Sequence, residues 1–338
     1  MQNKFQAKLE NILTNNQSFL LFREPNSDFV DLWADQKFES KNKFIFNRFD
    51  NSQQIIINDD DIESIQIEKL KDELDLNLES NFTQEAISYE SYIALLQNTV
   101  KELNQTNTDK IVISRIKEVS NKGVNIIKTF KALHLHYPNA YLYLWYSIND
   151  GLWIGASPEL LLQEEDLTIK TVSLAGTLPK NEQWSNKEIL EQKVVTDYII
   201  SKLENTTNLH VDGPHTIDAG FFNHLKSYIS ADVKSYDQVN TILQKLHPTP
   251  AVCGMPQQDA QNFILKNEGY DRKFYAGYFG YKREKKSLYF VNLRCAQIFK
   301  NTVKLYVGGG IMPNSNPQKE WDETELKSKT IGNLLVTD

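Results

Sequence analysis

The chain has 338 residues, of which 40% are hydrophobic and 24% are charged, a mixture typical of a soluble globular protein with a sizeable core. A net charge of −7 and the lack of a basic run argue against a nucleic-acid partner and favour a small-molecule ligand. The two cysteines lack a CxxC spacing, and neither a secretory signal nor a run of about 18 apolar residues is visible, so a cytoplasmic enzyme without disulfides, zinc or a membrane span is expected.

The N-terminal quarter of the chain carries the weakest structural signals. Residues 51–80 form the most polar stretch, which predicts a surface strand, a loop and a charged connection rather than a linker between independent domains. The pattern sharpens in a helix predicted from Phe82 to Asn104, where Thr83 is the expected N-cap and an apolar stripe follows.

Hairpin-joined strands and separate blocks of helix follow. In chain order the predicted elements are a strand (Lys110–Val119), a helix (Gly123–Leu135), a hairpin (Ala140–Ile148 and Leu152–Ala156), two strands (Leu160–Gln163 and Leu167–Leu174), two helices (Asn186–Glu204 and Asp237–Leu246), three strands (Tyr275–Tyr281, Ser287–Ile298 and Val303–Val307) and a last helix (Pro317–Ile331). No regular β-α-β alternation is present, so the order favours an α+β fold with large antiparallel sheets over a Rossmann fold.

The last predicted helix and the segment before it contain the most informative charges. Glu320 and Glu323 are three residues apart and share one helix face with Lys327. Two carboxylates near a helix start suit Mg²⁺, although a solvated face with an ordinary ion pair fits the same pattern. The preceding glycines, residues 308–310, would let backbone amides approach an anion or would simply form a tight turn.

Other charged positions suit an active site only in particular surroundings. Glu188 and Glu191 share one helix face, which fits a further metal ligand or an ordinary amphipathic helix. Glu159 follows a proline at a strand junction, where burial would raise its pKa and make it a general acid, and exposure would not. Lys110 is the first residue of a predicted strand. Desolvation in a pocket would lower its pKa and make it a base, whereas on the surface it would be an ordinary charge. Arg294 lies among apolar residues of a predicted strand and needs either a substrate carboxylate or an internal acidic partner.

Six segments, taken in their order and spacing, resemble the chorismate-binding enzymes. They are GASPELLL (155–162), SLAGT (173–177), HPTPAVCGMP (247–256), DRKFYAGYFGY (271–281), LRCAQI (293–298) and GGGIMPNSNPQKEWDETELK (308–327). The resemblance covers residues 84–332 and is weak over residues 1–83. It implies a single chorismate-utilising domain over residues 1–338, with the family's α+β fold of large antiparallel sheets packed with helices.

Three positions indicate which reaction the resemblance implies. Lys110 stands where isochorismate-forming and salicylate-forming relatives carry their base and where anthranilate-forming relatives carry glutamine. Ala175 stands where aminodeoxychorismate-forming relatives carry a nucleophilic lysine, and residues 247–252 have the form of the isochorismate-forming branch. The resemblance therefore implies a magnesium-dependent chorismate isomerase. The alternatives are salicylate formation on the same scaffold and non-catalytic binding of chorismate.

The resemblance also implies roles for individual residues. Lys110 would activate a water for attack on C2 of chorismate, and Glu159 would protonate the departing C4 hydroxyl. The side chains expected to hold Mg²⁺, which in turn holds the ring carboxylate, are Glu191, Glu320 and Glu323. The expected contacts of the enolpyruvyl carboxylate are Arg294 and Tyr275. The other expected substrate-binding residues are Gly176, Thr177, His247, Ala251, Gly308, Gly310 and Lys327.

One segment departs from the family pattern. Many relatives carry His-Glu-His where this chain has Leu190-Glu191-Gln192, which changes the hydrogen bonds expected around the metal ligand, and Glu188 is a further candidate in that surrounding. The implied partners are chorismate and isochorismate, with no nucleic acid, membrane or glutaminase subunit, and a monomer is expected. Isochorismate would serve menaquinone or siderophore synthesis, and a short chain without an appended domain favours menaquinone.

Overall fold

The computed structural model of the protein describes residues 2–36, 39–78, 86–179, 182–218 and 222–337. Its helices are α1 (Gln2–Thr14), α2 (Tyr89–Gln105), α3 (Ile126–His136), α4 (Asn186–Lys202), α5 (Tyr236–Leu246), α6 (Gln257–Asn267) and α7 (Pro317–Gly332). Its strands are β1 (Phe19–Arg23), β2 (Phe29–Ala34), β3 (Lys43–Asn47), β4 (Gln54–Asn58), β5 (Glu63–Gln66), β6 (Lys110–Ser120), β7 (Tyr141–Ser147), β8 (Gly151–Ser157), β9 (Leu160–Glu165), β10 (Thr168–Pro179), β11 (Thr207–Asp218), β12 (Phe222–Asp232), β13 (Gly254–Met255), β14 (Tyr278–Arg283), β15 (Lys286–Val291), β16 (Cys295–Ile298) and β17 (Thr302–Ile311). No helix among these residues has the length and apolar character needed to cross a membrane.

The chain divides into two compact units. Unit 1 comprises Met1–Glu159, Thr249–Phe279 and Val291–Asp338, and unit 2 comprises Leu160–Pro248 and Gly280–Phe290. Both combine antiparallel strands with helices, so the predicted α+β fold with large antiparallel sheets is confirmed. That one chorismate-utilising domain spans residues 1–338 stays a prediction.

Unit 1 is built on a large antiparallel sheet. Its strands, within the described residues, follow the order β13-β6-β17-β16-β8-β7-β1-β2-β5. Strand β7 is apolar and buried beyond its first residue, because both faces of the sheet are covered. Helices α1 and α3 cover one face with side chains such as Phe5 and Phe130. Strand β3 lies against the other face, where the ring of Phe46 stacks on that of Trp145 with centroids 4.1 Å apart.

Unit 2 is a second arrangement of antiparallel strands with helices α4 and α5. Its strands follow the order β11-β12-β10-β9-β15-β14. The register of β10 against β12 shifts between Ala175 and Thr177, which marks a β-bulge. Gly176 occupies the bulge with φ of +71°, a conformation that favours glycine. Helix α4 packs against β10 at this point.

The N-terminal end of helix α2 differs from its prediction. The helix begins at Tyr89, and the Ser88 hydroxyl caps it by accepting a hydrogen bond from the Ser91 amide. The predicted start at Phe82 is wrong because residues 86–88 precede the helix in non-helical conformation, and the predicted cap, Thr83, lies outside the described residues. A serine at this position provides the side-chain acceptor that a helix start needs.

Several predicted strands also have different limits. The strand expected over Leu167–Leu174 runs from Thr168 to Pro179. The strand expected over Ser287–Ile298 is two strands, β15 and β16, because residues 292–294 lie outside both and Arg294 has a positive φ of +47°. The strand expected from Tyr275 begins at Tyr278. The strand expected to end at Val307 continues to Ile311, so the three glycines lie inside β17 rather than after it. The hairpin β11–β12 and helix α6 have no counterpart among the predicted elements.

Candidate active site

Strand β17 carries its glycines opposite β6, the strand that begins at Lys110. On one face of this segment, a Cβ placed on Gly310 would lie 2.5 Å from Lys110 Cε. A Cβ placed on Gly308 would lie 3.1 Å from the Tyr275 hydroxyl oxygen. Glycine at both positions therefore leaves the space that the lysine and tyrosine side chains occupy.

The other face of the glycine segment meets the carboxylates of helix α7. A Cβ on Gly309 would lie 3.4 Å from Glu320 Oε2 and 3.8 Å from Glu323 Oε1, so both carboxylates face the same backbone position. Burial raises the pKa of Glu320, and the Glu323 charge raises it further, while the Ser315 hydroxyl bonded to it at 2.7 Å and the Lys327 charge act in the opposite direction.

Lys327 joins this helix to the glycine strand. Its Nζ lies 2.7 Å from Glu323 Oε1 and donates a hydrogen bond of 2.9 Å to the Gly308 carbonyl. Helix α7 starts with Pro317 in its first turn, as the sequence predicts, and the Asn316 side chain caps it by accepting a hydrogen bond from the Lys319 amide. These contacts fix the first half of the helix, and hence the two glutamates, against β17.

The donor chemistry of Glu320 and Glu323 fits a hard divalent cation. Oxygen ligands from two adjacent carboxylates are typical of Mg²⁺ sites, and a cation there would offset the repulsion that raises the pKa of Glu320. Nowhere in the described part of the chain do three His, Cys, Asp or Glu side chains group closely enough to hold a metal ion. Glu191, the third predicted ligand, lies exposed on α4 in unit 2, so the three-carboxylate set stays a prediction.

Glu159 is the second residue after the end of strand β8. The backbone carbonyl of Glu159 accepts a hydrogen bond of 3.0 Å from the Val291 amide, and this bond holds the turn. Desolvation raises the pKa of Glu159 to about 7, and the positive charges of Lys110 and Arg294 limit the rise. This carboxyl is therefore partly protonated at neutral pH and can donate a proton, unlike an exposed glutamate.

Arg294 lies in the break between β15 and β16, so its prediction as a residue inside a strand is wrong. Its φ is +47° and its side chain is exposed. The guanidinium carbon lies 5.3 Å from the centroid of the Tyr137 ring, and the described residues place no acidic side chain within ion-pair distance. The positive charge of Arg294 nevertheless acts to lower the pKa of Glu159, after the larger effect of Lys110.

Tyr275 is buried in unit 1 next to the same groups. Its ring stacks on Tyr306 with centroids 5.6 Å apart. Desolvation raises the pKa of its hydroxyl, and the Glu159 charge is among the weaker causes that act in the same direction. The hydroxyl therefore stays protonated and can donate a hydrogen bond to a ligand beside Gly308.

The remaining predicted pocket residues lie on several elements. Gly176, in the β10 bulge, approaches α4 so closely that a Cβ would lie 3.2 Å from the Glu188 carbonyl oxygen. The backbone of Thr177 lies in β10, whereas its side chain is outside what the structure describes. His247 is buried where α5 ends, in unit 2, and Ala251 is exposed in the following turn, in unit 1.

A buried ion pair that the sequence reasoning did not single out braces β6 just beyond Lys110. Arg272 donates 2.7 Å hydrogen bonds to Glu268 Oε2 and to the Val112 carbonyl. Glu268 Oε1 accepts a 2.6 Å hydrogen bond from the Ser114 amide. Helix α6 ends at Asn267, so the pair lies in the irregular segment after it, and no local sequence pattern indicated the contact.

A second arginine, also not singled out, attaches α7 to β6. The guanidinium carbon of Arg115 lies 3.8 Å from the ring centroid of Trp321. Its Nε donates a 2.9 Å hydrogen bond to the Thr324 hydroxyl, and it forms an ion pair with Glu325. The helix face bearing Trp321 and Thr324 is thereby held against the strand that carries Lys110. An arginine inside the apolar run KIVISRI was the signal for such a contact.

Comparisons with known proteins identify relatives. A family model described as "Chorismate binding enzyme" matches residues 35–336. Isochorismate synthase MenF of Escherichia coli (strain K12) is 30% identical over 255 residues, which cover 71% of this chain and 59% of that protein. Isochorismate synthase EntC of the same strain is 30% identical over 243 residues, which cover 67% of this chain and 62% of that protein. The chain thus matches about three fifths of the length of these curated relatives.

Solved structures share the fold. The structure of MenF, the menaquinone-specific isochorismate synthase from Escherichia coli, superposes with a TM-score of 0.80 at 23% identity, covering 94% of this chain and 89% of the other. Anthranilate synthase component I from Streptococcus pneumoniae TIGR4 gives a TM-score of 0.70 at 16% identity, covering 93% and 92%. At these identities the likeness is one of fold.

Proposed function

Because the chain belongs to the family of chorismate-binding enzymes, we propose that it is an isomerase that converts chorismate reversibly into isochorismate. The observation that carries the proposal is the pairing of Glu159, whose pKa is raised to about 7, with the positive charge of Lys110. An acid that is partly protonated at neutral pH, together with an amine, suits a reaction that removes one hydroxyl and adds another.

In this proposal Lys110, in its neutral form, accepts a proton from water while the resulting hydroxide adds to C2 of chorismate. The ring double bond shifts as the C4 hydroxyl leaves, and Glu159 supplies the proton that releases it as water. One water is consumed and one is produced, so the reaction is an isomerisation. Lys110 and Glu159 return to their starting protonation states through solvent.

The substrate carboxylates define the other proposed roles. Arg294 and the Tyr275 hydroxyl would hold the enolpyruvyl carboxylate, which the guanidinium can bind through two parallel hydrogen bonds. Glu320, Glu323 and, by resemblance, Glu191 would hold magnesium. The bound ion would neutralise the ring carboxylate and offset its repulsion by the glutamates. The proposed pocket lining comprises Gly176, Thr177, His247, Ala251, Gly308, Gly310 and Lys327.

The proposed use of the product is menaquinone synthesis in the cytoplasm. The similarity to MenF in sequence and in fold supports this branch. A siderophore role is the competing assignment, because isochorismate synthase DhbC of Bacillus subtilis (strain 168) is also similar, with 32% identity over 203 residues, which cover 55% of this chain and 50% of that protein. Restoration of menaquinone, but not of siderophore, in a bacterium lacking isochorismate synthase activity would support the first assignment.

Product analysis tests the proposed reaction. Purified protein is incubated with chorismate and either Mg²⁺ or EDTA, and the products are separated by liquid chromatography. A magnesium-dependent mixture of chorismate and isochorismate is expected. Salicylate with pyruvate would instead indicate a salicylate synthase. Binding of chorismate without any product would indicate a non-catalytic chorismate-binding protein.

A further inference from the structure

A single buried amide side chain connects helix α4 to the β10 bulge. Gln192 is 1% exposed, whereas its neighbour Glu191 is exposed. Gln192 Oε1 accepts a 2.7 Å hydrogen bond from the Ala175 amide. Its Nε2 donates to the Ser173 hydroxyl at 2.9 Å and to the Ser227 hydroxyl at 3.0 Å. One side chain thus binds α4, β10 and β12 at once.

The position of these bonds coincides with the irregularity of β10. The register against β12 shifts between Ala175 and Thr177, where Gly176 adopts a positive φ. A bulge leaves a backbone group outside the regular pairing of the strands, and Gln192 satisfies the Ala175 amide at that place. The close approach of Gly176 to the Glu188 backbone gives the bulge a second contact with the same helix.

The surrounding polar groups form a closed network. The Thr196 hydroxyl donates to the Gln192 carbonyl at 2.9 Å and lies 2.8 Å from the Ser173 hydroxyl. Ser173 and Ser227 are buried. A shift of α4 along β10 would leave several of these buried groups without partners, which is unfavourable because a buried polar group without a hydrogen bond has also lost its water. The network therefore fixes the position and register of α4 on β10.

We propose that Gln192 is a positioning residue that makes the substrate-binding bulge (residues 175–177) and the metal-binding helix α4 one mechanical unit. This inference rests on the proposed function for the roles of Gly176, Thr177 and Glu191. Ordering of the bulge by substrate also orders the helix that presents Glu191, and ordering of the helix by magnesium also orders the bulge. Loss of Gln192 therefore weakens the binding of both ligands and leaves the acid and base untouched.

The test uses Gln192→Met in the full-length protein, because methionine keeps the length of the side chain and removes its hydrogen bonds. The expected result is an increase of roughly tenfold in both the KM for chorismate and the Mg²⁺ concentration for half-maximal activity, with kcat at saturation changed less than about twofold. Calorimetric titration with Mg²⁺ alone, without substrate, provides a readout that does not depend on turnover, and the dissociation constant is expected to rise by a similar factor.

A matched control separates positioning from stability. Thr171, also buried on β10, donates a 2.8 Å hydrogen bond to the Leu161 carbonyl away from the bulge. Thr171→Val is expected to lower the urea midpoint of unfolding without changing KM or the Mg²⁺ requirement. In a Gln192→His variant, the KM for chorismate and the Mg²⁺ requirement are expected to stay within about threefold of the wild-type values. Unlike methionine, the imidazole can accept a hydrogen bond from the Ala175 amide and donate one to a serine hydroxyl.

Unchanged KM and Mg²⁺ affinity in a folded Gln192→Met protein would overturn the inference, as would a loss confined to kcat. If that variant does not fold, Thr196→Val removes one hydroxyl of the network and is expected to shift both constants in the same direction by a smaller factor; no shift in either would overturn the inference. If the wild-type protein forms no isochorismate, the proposed function fails. The inference is then tested separately, by calorimetric measurement of how tightly the wild type and Gln192→Met bind Mg²⁺ and chorismate. Equal binding by both proteins, or none by either, rejects it.

Discussion

The two faces of the β17 glycine segment differ in how much space they leave. On the Lys110 face a Cβ would come as close as 2.5 Å to the lysine side chain, whereas on the α7 face it would stay 3.4 Å or more from the two carboxylates. The first face is filled by side chains whose positions it fixes. The second leaves ordinary contact distances around Glu320 and Glu323, which suits groups that must surround an added ion. Placing a base and accommodating an ion therefore make different demands on one short strand.

Of the changes that test the two faces, removal of the proposed base is expected to lower activity most. Lys110→Ala should lower kcat by about 10⁴-fold, since no other group would take the proton from water. Product formation measures the loss, and circular dichroism checks the fold. Lys101→Ala, on the exposed side of α2, is the control. Activity of Lys110→Ala within a few-fold of wild type would show that the tight face holds no base.

Adding one methyl group to each face tests the difference in space directly. Gly310→Ala should displace the Lys110 side chain and lower kcat by about 10²-fold, because a shift near 1 Å in a catalytic group has that effect. Gly309→Ala, which adds the same group to the other face, should stay within a few-fold of wild type. Equal losses in the two variants, with equal unfolding midpoints, would contradict the contrast between the faces.

Neutralising one carboxylate tests the open face. Glu323→Gln should raise the Mg²⁺ concentration for half-maximal activity by about 30-fold, because it removes a charged oxygen donor. Magnesium titration at saturating chorismate measures the change. Asp322→Asn, an exposed position on the same helix, is the control. A titration curve for Glu323→Gln that coincides with wild type would place the metal elsewhere.

A change of one pH unit is expected to alter activity less than any of the disruptive substitutions above. Since the pKa of Glu159 is raised to about 7 and its protonated form is the acid, the fraction of protein that carries the acid should fall about tenfold per pH unit well above that value, and kcat/KM should decline on the alkaline side of its pH profile. The folding stability changes with pH in the same direction. The stabilisation that the protonated Glu159 contributes is complete below a pH of about 4.5 and is lost as the pH rises through about 7. Glu159→Gln should therefore gain stability relative to wild type over that interval and hold a constant advantage above it. A urea midpoint difference independent of pH would refute the raised pKa.

Local signals were sufficient where neighbouring residues determine the structure. Helix α7 was predicted over Pro317–Ile331 and ends one residue later, at Gly332, because its cap, its proline and the spacing of its glutamates all act within the helix. The order of the motifs likewise identified the fold. The roles of Lys110, Glu159 and the three glutamates stay predictions that the experiments above test.

Features set by distant parts of the chain were not predictable. The break at Arg294 involves a positive φ, which a continuous apolar pattern does not reveal. The network of Gln192 joins two strands and a helix separated in sequence by up to 54 residues, from Ser173 to Ser227, and its residue types are individually unremarkable. Space around the glycines depends on which side chains the sheet register places opposite them.

The ion pair of Glu268 and Arg272 has a consequence for solubility. The short strand β13 pairs with Lys110 and Ile111 at the outer side of β6, and the Val112 amide donates to the Cys253 carbonyl just before β13. An uncovered strand edge beyond these residues would invite a strand from another molecule to add to it. Arg272 takes the Val112 carbonyl and Glu268 takes the Ser114 amide, which are groups an incoming strand would need. The pair thus protects the sheet from aggregation at the strand that begins with Lys110.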